Sequence, residues 1–185
     1  MIDDTLLEAE DKMEKALEVA REDFSTIRTG RANAAMFNKL TVEYYGAPTP
    51  LQQLASFQTP EARTILVIPF DKSVMGEIER TLRDSNLGIN PNNDGQVIRV
   101  NLPMLTEERR REYIKLARHK GEEAKISIRN NRRKAKEEFD RLVKDGEVGE
   151  DEGTRAEKEL EALTKRHVDV VDDLLKHKEA ELLDV

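Results

Sequence analysis

The chain has no cysteine, which excludes disulfide cross-links and thiolate metal sites and fits a reducing compartment. It has no tryptophan and only 4% aromatic residues, so slender helices rather than a thick core are expected. No apolar run approaches the length of a membrane span. The opening MIDDTLLEAEDKME is acidic and amphipathic, without the basic-then-apolar order of a secretory leader, so a cytoplasmic location is expected. The motifs GxxxxGK[ST], GxGxxG, HExxH and GxSxG are missing, which removes the usual phosphate cradles, zinc sites and nucleophile elbows. The three histidines are scattered. His167 and His177, about 15 Å apart along a helix, cannot share a metal and read as bundle-edge residues with packed ring faces. The acidic cluster Glu147, Glu150, Asp151 and Glu152 lacks the alternating ligands of a calcium loop and reads mainly as helix N-terminal charge. No catalytic residue, metal ligand or cofactor is therefore expected, and an enzyme is disfavoured.

What is present is charge in helical order. Thr106 to Asp145 contains no proline and a single glycine, Gly121, and is built mostly of good helix formers. Thr106 is placed to cap it, with Glu107 and Glu108 complementing the helix dipole. A near-continuous seven-residue seam runs through Tyr113, Ala117, Gly121, Ala124, Ile128, Asn131, Ala135, Phe139 and Leu142. Forty such residues make a rod of roughly 60 Å, which needs long partners.

Two further segments supply them. Residues 3–29 carry the seam Leu6, Ala9, Met13, Ala16, Ala20, Phe24 and Ile27, and should end at Gly30 through a left-handed cap. Residues 150–183 carry Ala156, Leu160, Leu163, His167, Val170, Leu174 and His177. Three such seams predict a long antiparallel three-helix bundle.

Between the first two helices the character changes, and all six prolines lie in or at the edges of residues 31–104. Leu40–Tyr45, Arg63–Phe70 and Gln96–Leu102 read as strands, and Asp71 caps a short helix from Lys72 to about Ser85 with Val74, Ile78 and Leu82 on one face. The fold class is thus α+β. A discontinuous bundle of residues 1–30 and 105–185 carries an inserted β/α/β domain, 31–104, with crossings at 29–31 and 102–105. Two thin crossings side by side make Gly30, Arg31, Pro103 and Leu105 the expected hinge.

Beside the seam of the central helix, Arg111, Arg118, Lys125, Arg129, Arg132 and Lys136 fall in a narrow arc, with Lys115 and Arg133 just outside it. From Arg109 to Lys136 there are 12 Lys+Arg against 3 Glu, a local net of +9 in a chain of net −7, so the remainder carries −16. The three local carboxylates are too few to pair 12 cations, which predicts a polyanion footprint on RNA or DNA phosphate. An ordinary solvated helix face is the bland alternative. Residues 146–185, with 13 Asp+Glu against 6 Lys+Arg, are expected to face away from phosphate.

Several stretches carry a resemblance: Arg28-Thr29-Gly30-Arg31-Ala32, Val42 to Leu51 (VEYYGAPTPL), Leu87 to Asn92 (LGINPN), Leu105 to Arg110 (LTEERR) and Arg129-Asn130-Asn131-Arg132-Arg133. The chain resembles the ribosome recycling factor family from end to end. The resemblance implies an L-shaped, monomeric molecule that approximates transfer RNA in outline. It also implies large-subunit ribosomal RNA and elongation factor G as partners, with subunit splitting and release of messenger and deacylated transfer RNA as the outcome. Arg132 matches the family's principal RNA-contacting arginine, Arg129 lies one turn before it, and Arg28 and Arg31 match arginines near the elbow. Arg133, Lys125 and Arg118 complete the candidate RNA-binding set. Asn131 departs from the aliphatic residue usual at its position. The rival reading, from a different class, is a helical-bundle adaptor that docks on an acidic protein and has no RNA role.

Overall fold

A computed structural model describes residues 1–184. Contacts divide the chain into two compact units: Met1–Phe24 with Lys115–Glu179, and Ser25–Ile114 with the residues from Ala180 on.

Three long helices build the first unit: α1 (Ile2–Ser25), α3 (Glu107–Lys144) and α4 (Glu150–Leu183), the last two running on into the second. The seams make the core. Ala9, Met13, Ala16, Ala20 and Phe24 of α1 are buried, with Ala117, Gly121, Ala124, Ile128, Ala135, Phe139 and Leu142 of α3. Phe24, Val171 and Leu175 converge on Gly121, where the three helices pack closely and leave room for no more than a methyl group. Asn131 is half-buried. The seam of α4 drifts from a strict seven-residue spacing. Val171, Lys178 and Leu182 are buried, while Val170 and Leu174 are half-buried and His177 is exposed. A straight helix at 3.6 residues per turn precesses by about 20° per heptad, which moves the buried line by one position. His167 is fully enclosed, its ring nitrogens 2.8 Å from the Leu163 carbonyl and 2.8 Å from Glu14 on α1.

The helix ends follow local chemistry. Thr106 Oγ1 accepts the Arg109 amide at 3.1 Å, the capping bond that the sequence predicts. At the other end of α3, Gly146 adopts φ 72, and the amides of Gly146 and Glu147 donate to the carbonyls of Val143 and Leu142. That paired closure turns the chain sharply into α4. Helix α1 stops at Ser25 rather than at Gly30, and Gly30 is not among the left-handed glycines. Ser25, Thr26 and Ile27 are weak helix formers, and the helix yields there.

The second unit holds the sheets. Strands β1 (Thr41–Tyr44) and β2 (Ala47–Pro50) form a two-stranded hairpin across Tyr45 and Gly46, both at positive φ (49 and 79), as a two-residue turn of this twist requires. Strands β3 (Ala55–Glu61), β4 (Thr64–Pro69), β5 (Asn90–Asn93) and β6 (Ile98–Asn101) make an antiparallel sheet in the order β3-β4-β6-β5. Helix α2 (Met75–Arg83) follows a single 3-10 turn capped by Asp71, which accepts the Ser73 amide at 2.9 Å. Val74, Ile78 and Leu82 are buried as expected, against Ile65, Val67, Ile98 and Val100. The unit thus has three strands more than the sequence reading assigns: β2, β3 and β5.

Candidate nucleic-acid interface

The cations expected to meet phosphate lie mainly on α3. Arg129 and Arg133 are exposed and have no ion pair among the described residues. Lys115, just outside the arc, is likewise exposed and without an ion pair among the described residues. Arg111 lies 2.6 Å from Glu107 of its own helix, and the other four are paired. Arg118 donates to Glu179 at 2.7 Å, Lys125 contacts Asp172 and, at 3.7 Å, Glu122, and Arg132 contacts Glu161. Lys136 lies 3.1 Å from Asp140 and 3.9 Å from Glu157. Asp140, through its hydrogen bond and charge, and then Glu157 hold the Lys136 ammonium above the ordinary lysine range.

This corrects the expectation that the stripe lacks intramolecular mates. Glu157, Glu161, Asp172 and Glu179 all belong to α4, the helix expected to turn its charge away. The residue numbers rise along α3 as they fall along α4, as an antiparallel pair requires. At about 100° per residue the four carboxylates fall within roughly 60° of arc, so the sequence does contain the signal. Composition hides it, because it sums the acidic face with the rest of the helix. The pairing does not lock the cations away. The Arg132 side chain retains 34% of its accessible surface and Glu161 58%. Exposed pairs of this kind contribute only about 0–1 kcal/mol each.

Arg28 and Arg31 belong to the other unit. Arg31 is exposed, its amide held at 3.4 Å by Thr29 Oγ1. Arg28 is buried at 4% exposure. Its guanidinium donates to the carbonyls of Leu87 and Gly88 at 3.3 Å and to that of Pro103. Burial lowers its proton affinity, with Tyr113 opposing and Arg109 adding to the effect. In this conformation it offers phosphate no surface, contrary to its place in the candidate set. Gly88 shares the constraint, since its φ is 68 and a side chain there would meet the Arg28 guanidinium at 3.2 Å. Three expected hinge residues, Gly30, Arg31 and Leu105, line a cavity of about 320 Å³ in the same unit, beside Arg63 and Arg110. Among the described residues no His, Cys, Asp and Glu group has metal-binding geometry, and no helix is long and apolar enough to cross a membrane.

Fold and surface together define a discontinuous helical bundle with a charged flank and an inserted β-rich lobe. The family model described as ribosome recycling factor matches residues 20–183. The ribosome-recycling factor of Kineococcus radiotolerans is 72% identical over 185 residues, and that of Streptomyces coelicolor 67%, each alignment covering all of both chains. Among solved structures, the solution structure of a ribosome recycling factor superposes with TM-score 0.79 at 39% identity, covering 100% of this chain and 98% of that one. A structure of the Thermus thermophilus factor, with Escherichia coli elongation factor G on the E. coli post-termination complex, gives 0.71 at 40% identity with both chains fully covered. The chain belongs to the ribosome recycling factor family. It is a non-enzymatic factor of protein biosynthesis.

Proposed function

We propose that this chain binds the post-termination ribosome through large-subunit ribosomal RNA and, with elongation factor G, splits the subunits so that messenger and deacylated transfer RNA leave. The contact is made by Arg132, Arg129, Arg133, Lys125 and Arg118 of α3, with Arg31 contributing from the second unit. The observation that carries the reading is the row of cations along one long helix, with Arg129 and Arg133 exposed and unpaired among the described residues, in a chain of this family. The Thermus thermophilus relative, set beside elongation factor G on a post-termination complex, supports the partner assignment. The inserted domain, 31–104, swings about Gly30, Arg31, Pro103 and Leu105 under the push of the GTPase. Arg28, joined to Pro103 and to the Leu87–Gly88 carbonyls, positions that crossing rather than touching RNA. The factor works as a monomeric lever and makes or breaks no covalent bond.

The test is Arg132→Ala. Loss of a half-buried surface arginine whose ion-pair partner is exposed costs about 1 kcal/mol of stability, so the variant stays folded. Its co-sedimentation with purified large subunits should fall, and recycling with elongation factor G should stop. Full recycling by the folded variant would refute the assignment.

A further inference from the structure

The carboxylate row of α4 has no role in the RNA contact proposed for α3. Glu157, Glu161, Asp172 and Glu179 occupy Lys136, Arg132, Lys125 and Arg118, the cations a phosphate chain would need. Between Glu161 and Asp172 the same stripe of α4 carries Thr164 and Val168, so the row skips the level of Arg129. Arg129 is correspondingly unpaired among the described residues, and Arg133, about 100° round the helix from Arg132, lies off the paired line.

We propose that these four α4 carboxylates act as a built-in competitor for phosphate and set the selectivity of the α3 face, an inference that rests on the function proposed above. A stray RNA strand reaches Arg129 and Arg133 freely. To engage the remaining cations it must displace one carboxylate at a time, each left behind as a negative charge beside the incoming backbone. An RNA surface that holds several phosphates rigidly at the spacing of the row exchanges all four at once and meets a preformed array. A flexible strand lacks that preorganisation and loses the competition. The carboxylates thus discriminate by shape while making no contact with RNA themselves, in the way that repulsive elements supply specificity elsewhere.

The test uses the full chain with Glu157→Gln, Glu161→Gln, Asp172→Asn and Glu179→Gln combined. These amides keep the volume of each side chain and one acceptor oxygen while removing the charge. A control with Glu18→Gln, Glu137→Gln, Glu159→Gln and Asp173→Asn makes the same change in net charge away from the row. Binding is measured to polyuridylate and to purified large ribosomal subunits, with circular dichroism confirming the helices. The row variant should bind polyuridylate about tenfold more tightly, gain less on large subunits, and so lose selectivity, while the control changes by less than about twofold. The proposal is overturned if the row variant matches wild type on polyuridylate, if both ligands gain equally, or if the control gains as much. Wild-type binding to large subunits tests the functional reading separately, since the polyuridylate comparison stands without it.

Discussion

Arg28 offers the sharpest stability test. Its two terminal guanidinium nitrogens serve three carbonyls, those of Leu87, Gly88 and Pro103, from a side chain only 4% exposed. Arg28→Met keeps much of the volume and removes every donor. A hydrogen bond to a charged group contributes about 1.5–3 kcal/mol. Burying the guanidinium opposes this, and its Nε finds no partner among the described residues. With three carbonyls left against an apolar chain, the net loss should be roughly 2–4 kcal/mol. Arg28→Lys should recover only part of it, because a single ammonium cannot reproduce a planar fork. The loss is local, so hydrogen exchange resolved by mass spectrometry should accelerate at residues 87–88 and 102–105 and stay unchanged in α3 between residues 124 and 139. Urea unfolding supplies the magnitude. A Met variant within about 0.5 kcal/mol of wild type, with unchanged exchange at the crossing, would refute the positioning role.

Two glycines in the bundle should respond oppositely to alanine. At Gly121 the nearest atom to a new Cβ is Leu175 Cδ2 at 3.5 Å, ordinary contact, so Gly121→Ala should stabilise by about 0.5–1 kcal/mol in urea unfolding. At Gly153 the new Cβ would lie 2.6 Å from Val143 Cγ2, so Gly153→Ala should destabilise by about 1–2 kcal/mol. Equal effects would show that the α3–α4 approach does not depend on Gly153. In the second unit, Asp94 is held below the usual aspartate value of 3.8 by the amides of Val97 and Gln96. Asp71 is held below it by the Ser73 hydroxyl and amide. A folded value lower than the unfolded one gives stability that is complete above the ordinary aspartate pKa and is lost as pH falls through the folded value. Carboxyl NMR titration should therefore find both residues still ionised where exposed aspartates have half titrated.

The legible parts of the fold were those with long-range order in sequence. Helix α4 runs from Glu150 to Leu183 as read, and α3 differs from its reading only in the flanking cap residues. The missed strands share a physical reason. β3 and β5 are the edges of the four-stranded sheet, and β2 belongs to a separate two-stranded hairpin. Edges tolerate proline, and these three segments hold Pro48, Pro50, Pro60 and Pro91, so they lack the β-branched alternation that marks β4 and β6 in the sheet centre. The cationic stripe was legible because it lies on one helix. Its pairing was missed because the α4 carboxylates were summed by composition. Periodicity puts the four on one arc of α4, while their match to particular α3 cations depends on the register between the two helices. Arg28 was unreadable for a similar reason: its acceptors lie about 60 and 75 positions away and are backbone carbonyls, which leave no side-chain signature.

The paired stripe changes what a salt titration of RNA binding should report. Six free cations meeting six phosphates would lower log K by about 0.7–0.9 per contact for each tenfold rise in salt. Four of the α3 cations already hold α4 carboxylates. When phosphate displaces a carboxylate, the RNA sheds a counterion and the freed carboxylate gathers one from solution, so much of the release cancels. The uncancelled part comes from Arg129 and Arg133 on α3 and from Arg31. The wild-type slope on RNA should therefore correspond to roughly two to three contacts, and the four-amide row variant should steepen it towards roughly six to seven. Parallel slopes for the two proteins would mean that the carboxylates stay in place when RNA binds, and the exchange argument would fail even if the affinities differed.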